Sequence, residues 1–321
     1  MDKMQKIILD LMLIKKAFTL ARTQKPDIIH GHLHEGVIIG WIVQKLLFWQ
    51  KMKLVADFHG SLTNEMISHG YLGAGALKKI FSWVEKMIDR LGDAAIASSP
   101  ENAAKISALS ERPVAVLLDG VNLEYYAATE KKSELRRELE LPEKAVIIAY
   151  VGALIANKGI FYLFDAFHRV LEKHPNVFLL IGGSPPAEGQ KFLRETKFPE
   201  RARFVYPLNY FSVPKLLSAC DIGVDPKDAV TQQASGKILQ YMGAGLAIAC
   251  FGRESNRGYL DGNAVYASEV SGEKLAEAVS ELIDNTEFRE RCGQGNRERA
   301  NQFHWSRVGK QLEKLYEVII N

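Results

Sequence analysis

The sequence predicts an α/β protein of two consecutive domains, each built on a parallel sheet. Apolar strands alternate with helical patterns from end to end, the arrangement that parallel βαβ units produce. A segment dense in mixed charge, Thr129 to Pro142, interrupts the series, and a second series starts at Ala145. The length of 321 residues exceeds one ordinary core and suits two.

In order, the first half reads as an amphipathic helix over Gln5–Arg22, a Pro-initiated strand "PDIIHGH" and the apolar helix "GVIIGWIVQKLLFW". The strand "KLVADFHG" follows, then a helix around Leu77–Leu91, the strand "DAAIASS", a helix opening at Pro100 and the strand "PVAVLLDG". The first strand should end near His30. The charged segment reads as a solvated link. Beyond it come "AVIIAYVGAL", its helix "GIFYLFDAFHRVLEKHP", "NVFLLIGGS", "ARFVYPL", the helix "VPKLLSAC", "DIGVDP", a helix opening near Gly236 and "LAIACFG". Three terminal helices close the chain. The expected domains are 1–128, 129–305 and a terminal helix over 306–321 that crosses back to the first domain. In open α/β sheets the loops beyond the carboxyl ends of the strands carry the ligand site.

Composition excludes several functions. The formal charge is only +3, with acids interleaved among the bases, so nucleic acid is not an expected partner. Cys220, Cys250 and Cys292 are widely spaced and read as reduced core residues of a cytoplasmic protein. The N-terminus has charges throughout its apolar stretch and no small-residue cleavage site. The window Gly36–Trp49 is broken by Gln44 and Lys45 and is too short to span a bilayer. Trp41, Trp49, Lys51 and Lys53 make it a candidate for peripheral contact with a membrane surface.

Three stretches could carry chemistry. In "HGHLHEG", His30, His32 and His34 would share a strand face and offer a transition metal three imidazoles, but a turn after His30 would end that alternation. A polar cleft-lining loop is the alternative, and no metal is expected. In "VGALIANKG" a strand runs into a glycine turn at Gly152, and Lys158 stands just before a helix. That is a phosphate clamp or a surface lysine, and not a GxxxxGK[ST] loop. In "TQQASGKILQYMGAGLA", Ser235 and Gly236 precede the apolar run from Ile238, so free helix N–H groups would favour an anion or simply be capped.

Together these stretches resemble the retaining nucleotide-sugar glycosyltransferases of the GT-B fold, glycosyltransferase family 4. The resemblance runs from about Pro26 to the end. It is carried by the order and spacing of "KPDIIHGH", "VADFHG", "AAIASSPENAAKI", "LLDGVN", "YVGALIANKG", "LLSACDIGVDP", "SGKILQYMGAG" and "FHWSRVGKQLEKLY". It implies two Rossmann-like domains, of which the second binds a UDP- or GDP-sugar and the first, shortened one a saccharide or lipid-linked acceptor. It also implies transfer with retention, no cofactor and no metal.

Residue by residue, the family's Gly-Arg turn and Lys-Gly pair fall on Gly152, Ala153, Lys158 and Gly159. The arginine is missing, so Lys158 would carry most of the charge neutralisation, helped by the amides of Ser235, Gly236 and Lys237. The Glu-x7-Glu pattern falls on Gln232 and Gln240. At Gln240 a carbonyl would replace the carboxylate that accepts from the ribose hydroxyls, weakening binding by about 1 kcal/mol or more. His59 falls where relatives place a histidine near the donor sugar's reacting carbon. Relatives open with a strand, a glycine-rich loop and two more strands, about 70 to 90 residues at ordinary domain sizes, that have no counterpart here. A start at an internal methionine, a complementing subunit and a decayed protein are the alternatives.

Overall fold

The computed structural model describes residues 3–68, 70–73, 75–127, 131–183, 187–195, 199–230 and 232–321. The chain forms two compact units. The first holds 1–118, 231–234 and 308–321, and the second 119–230 and 235–307. The expected boundary at 128/129 falls outside the described residues.

The first unit contains α1 (Lys3–Gln24), β1 (Ile28–His32), α2 (Leu33–Leu46), β2 (Lys53–Phe58), α3 (Leu62–Ser68), α4 (Ala76–Ile88), β3 (Ala94–Ala97), α5 (Pro100–Ser107) and β4 (Val114–Val116). Its four strands lie side by side in chain order, all parallel. The apolar helix α2 sits close on the sheet because glycines permit it. A Cβ on Gly31 would stand 2.7 Å from the Gly36 carbonyl, and one on Gly40 2.7 Å from the Leu54 side chain. Val37, Phe58, Ile88 and Ile106 fill the core between sheet and helices. Helix α5 starts at Pro100 as expected, and the Ser99 hydroxyl caps it by accepting from the Asn102 N–H at 3.1 Å. The strand β1 differs from expectation: it runs to His32, two residues beyond the expected end, and pairs His32 with Asp57 in the β2 register.

The second unit contains α6 (Lys132–Glu138), β5 (Val146–Val151), α7 (Ile160–Lys173), β6 (Val177–Gly182), α8 (Ala187–Glu195), β7 (Ala202–Val205), α9 (Val213–Ser218), β8 (Ile222–Asp225), α10 (Gly236–Gly243), β9 (Ala247–Phe251), α11 (Glu254–Leu260), β10 (Ala264–Ala267), α12 (Gly272–Asp284) and α13 (Thr286–Ala300). A last helix, α14 (Trp305–Ile320), starts here, and its residues from Val308 belong to the first unit. The sheet order is β10-β9-β8-β5-β6-β7, all parallel, the doubly wound order whose direction of winding reverses between β5 and β8. The charged segment is not merely a solvated link. Arg136 is buried, donates to the Ala219 and Glu143 carbonyls at 3.0 and 2.9 Å, and pairs with Asp221. All three cysteines are buried and unbridged, as their apolar surroundings predict.

Candidate functional site

The reversal between β5 and β8 leaves a gap at their carboxyl ends. The two strands share only the pairs Ile148↔Ile222 and Ala149↔Gly223, then diverge. The Tyr241 hydroxyl fills the divergence, accepting from the Val151 N–H at 3.2 Å and donating to the Val224 carbonyl at 3.1 Å. Past β5, Gly152 adopts φ +135°, a conformation that glycine alone takes without strain. The chain then makes a single 3-10 turn over Ala156–Lys158 and enters α7 through Gly159 at φ +81°. A Cβ on Gly159 would fall 1.9 Å from the Pro226 carbonyl oxygen, so this glycine presses the turn onto the residue that follows β8.

The turn therefore carries Lys158 to the end of β8, where charge collects. Asp225 is wholly buried, and its Oδ1 receives the Lys237 ammonium at 3.1 Å. Burial pushes the Asp225 carboxyl up, but Lys237 and then Arg253 more than offset this and hold it ionised. Burial likewise disfavours the Lys237 ammonium, and Asp225 reverses the sign. That ammonium also lies 5.2 Å from the Tyr150 ring centre, within cation–π reach. Lys227 is 1% exposed, and its amine is pushed down to about 6 by burial, then by Lys158 and Arg253, with Asp225 only partly compensating.

Helix α10 begins as the sequence predicts, with Ser235 as its buried N-cap residue and Gly236 at its first turn. The Ser235 side chain makes no capping hydrogen bond, and a Cβ on Gly236 would meet nothing within 4 Å. Gly236 and Gln240 line a pocket of about 210 Å³ together with Leu239, Tyr125, Tyr210 and Trp305. Gln232 is placed elsewhere: it belongs to the first unit, at φ +56°, with its carbonyl accepting from the Ser99 hydroxyl at 2.6 Å.

In the first unit, Asp57 at the end of β2 is the hub of three imidazoles. His30 Nε2 and His32 Nδ1 lie 3.3 and 3.0 Å from its Oδ2, and His59 Nε2 lies 3.5 Å from its Oδ1. Burial pushes the Asp57 carboxyl up, but hydrogen bonds from His30 and His59 bring it far below the ordinary carboxylate range. The His30 and His32 rings stack at 4.3 Å, and the Tyr316 hydroxyl hydrogen-bonds His30 Nδ1. The triad His30, His32 and His34 does not assemble. His34 lies inside α2, turned away to Asp89 Oδ1 at 3.1 Å. Lys105 pairs with both Asp89 and Glu85 there.

The family profile described as "Glycosyl transferases group 1" matches residues 131–299, more than half of the chain, and one described as "Glycosyltransferase Family 4" matches residues 3–125. The chain is a family 4-type glycosyltransferase. Its two parallel-sheet units are those of the GT-B fold. The glycosyltransferase is 26% identical over 326 aligned positions to the D-inositol 3-phosphate glycosyltransferase of Corynebacterium glutamicum (strain R), covering 94% of this chain and 74% of that relative. Its fold matches the sucrose-phosphate synthase of Thermosynechococcus elongatus with a TM-score of 0.79 at 17% identity, covering 96% of this chain and 77% of the other. It also matches Anabaena HepE in complex with UDP, with a TM-score of 0.77 at 17% identity over 95% and 82% of the two chains.

Of the sequence-derived site residues, the structure gathers Gly152, Lys158, Gly159, Ser235, Gly236 and Lys237 in the glycosyltransferase's second unit. It gives the Lys237 side chain to Asp225, leaving that residue's amide at the helix start. Sequence reasoning missed Asp57, Asp225, Lys227, Tyr241 and Arg253. The signal for Asp57 was available, since an acid inside the apolar run "LVADF" is costly to bury without partners.

Proposed function

We propose that this glycosyltransferase moves a hexosyl unit from a UDP- or GDP-sugar to a saccharide or lipid-linked acceptor, with retention and without a metal, in surface polysaccharide synthesis. The carrying observation is the basic cluster at the reversal of the second unit's sheet, where doubly wound domains bind ligands. The glycosidic bond to the diphosphate breaks with the electron pair leaving on oxygen, so catalysis needs neutralised phosphates and a held sugar more than a strong base. Lys158 and the amides of Ser235, Gly236 and Lys237 take the phosphates, Gln240 the ribose, and His59 the donor sugar. Asp57 Oδ1 stands 3.5 Å behind His59 Nε2.

A second reading, a nucleotide-sugar-binding subunit that works with another chain, is favoured by Ala153 and Gln240, which replace a cation and an anion of the family pattern. Calorimetric titration with UDP- and GDP-sugars, followed by a sugar-release assay, separates the two. Binding with sugar release supports the enzyme, binding without it the subunit, and no binding at millimolar concentration ends both.

We place the protein at the cytoplasmic face of a membrane. No helix among the described residues is long and apolar enough to cross one. Helix α4 exposes Leu77, Ile80, Trp83 and Met87 beside Lys78, Lys79 and Lys86, and Trp41 and Trp49 are also exposed. That combination suits an anionic lipid surface. Sedimentation with anionic vesicles should fall on Trp83→Ser, and equal sedimentation with uncharged vesicles would refute the electrostatic part.

A further inference from the structure

We propose that the open edge of β1, with helix α1 overhanging it, is the seat of a partner polypeptide that adds extended strands parallel to β1. The inference stands on the first unit alone and does not depend on which ligand the second unit holds.

Backbone geometry defines the edge. β1 pairs with β2 and, among the described residues, no strand lies on its other side. The Asp27 carbonyl accepts from the Lys53 N–H at 2.9 Å. Directions alternate along a parallel ladder, so Ile29 and Gly31 also face β2, and the N–H and C=O groups of Ile28, His30 and His32 face outward. The opposite edge, β4, is three residues long and is entered through Pro113, two devices that keep an edge from pairing. β1 has five residues in unbroken register, with no proline and no lysine.

The helix layer reaches further than the strand layer. Helix α2 packs on β1 and β2, while α1 packs chiefly on α2, through Ala17 and Phe18 against Val43 and Leu47. Neighbouring helices stand about 8 to 10 Å apart and strands about 4.8 Å, so α1 covers about two strand positions beyond β1. A groove of about 460 Å³ opens between α1, β1 and α2, with Leu13, Leu20, Ile28 and Ile39 in its lining. Toward its start α1 is apolar all round: Ile7, Ile8, Leu9, Leu11, Met12 and Leu13 are each 50 to 61% exposed. At about 100° per residue they span about 240° of the circumference, against about 100° for a helix packed on one face.

These features select the occupant. A lipid surface would cover one side of α1 and could not bond the outward N–H and C=O groups. A second copy paired edge to edge about a two-fold axis would bring its own α2 into the space that α1 holds. An extended polypeptide supplies both the ladder partners and, at alternate positions, the apolar side chains that fill the groove. The Corynebacterium glutamicum relative has sequence to spare for such strands, since 94% of this chain matches 74% of that relative.

The test uses the full 321-residue chain. The probe is the amino-terminal segment of the Corynebacterium glutamicum relative that precedes its counterpart of α1, about 90 residues, made as a separate chain. Light scattering on a sizing column and amide hydrogen exchange resolved along β1 are read with and without it. In the chain alone the Ile28, His30 and His32 amides should exchange about tenfold or more faster than those of Ile29 and Gly31. The probe should give a one-to-one complex in which those three amides slow about tenfold or more. A chain that aggregates alone and becomes one-to-one with the probe supports the seat equally. Leu11→Glu should leave the unfolding of the chain alone unchanged and weaken the complex about tenfold or more, because it buries a charge in an apolar contact. A homodimer that already protects the three amides would make the occupant a second copy and overturn the proposal. Vesicle sedimentation that falls on Leu11→Glu, with no complex formed, would make this face a lipid contact and overturn it too. So would a well-dispersed chain that forms no complex at about 50 μM of each partner.

Discussion

Replacing Lys227 by methionine should make the unliganded protein more stable near neutral pH and change how its stability responds to pH. In the folded chain the amine is pushed down to about 6 from an ordinary value of 10.5. Between those limits the unfolded state binds one more proton at this residue than the folded state does, so stability rises with pH. The slope is about 1.4 kcal/mol per pH unit, a factor of ten in the unfolding constant. Below about 6 both states hold the proton and the slope vanishes; above about 10.5 neither does. Methionine keeps the volume and removes the proton. From about pH 6.5 to about pH 8.5 the wild type should therefore gain about 3 kcal/mol relative to Lys227→Met, with methionine the more stable form at the acid end. Urea unfolding followed by tryptophan fluorescence across that range measures the difference, provided the urea dependence itself is unchanged. Parallel stability curves would refute the reasoning, since they would mean that Lys227 keeps its proton on folding.

Four further outcomes are expected. Lys158→Ala should weaken nucleotide-sugar binding by about tenfold to a hundredfold, the loss of one charge-assisted contact, and unchanged calorimetric affinity would show the phosphate seat to lie elsewhere. Gln240→Glu should tighten nucleotide binding by about 1 kcal/mol, and weaker binding would contradict a ribose contact at this position. His59→Ala should cut the transfer rate while leaving the UDP dissociation constant nearly unchanged; an equal loss of both would make His59 a binding residue. Gly159→Ala forces a carbon against the Pro226 carbonyl and demands a strained φ, so its thermal midpoint should drop by the equivalent of about 3 kcal/mol or more, and a fall under about 1 kcal/mol would show that the turn relaxes.

The alternation of apolar runs made both sheets legible, and the helix before "PDIIH" and the opening of α5 at Pro100 were readable from local chemistry alone. Strand β10 and helices α3, α8 and α11 were not, because four to nine residues carry too little periodicity to stand out. The histidines show a sharper limit. Spacing two argued for three imidazoles on one face, yet the chain enters α2 at Leu33, and a helix turns His34 to Asp89 while the strand leaves His30 and His32 stacked. The glycines and the lysine of the turn between β5 and α7 stood out through motif spacing. Lys227 and Arg253 did not, since their proximity depends on which strands become neighbours: Arg253 lies ninety-five residues from Lys158 in sequence, and only the order β9-β8-β5 draws the strands that carry them together.

The Tyr241 wedge bears on how this enzyme could be re-engineered. A Cβ at Gly223 would stand 2.6 Å from the Tyr241 ring, so the two positions form a matched pair. Removing the phenol leaves the Val151 N–H and the Val224 carbonyl without their partner, and enlarging Gly223 drives the ring out of its slot. A graft of another relative's α10 should therefore carry the residues at 223 and 241 together, because changing either alone would loosen the strand ends from which the turn carrying Lys158 is hung.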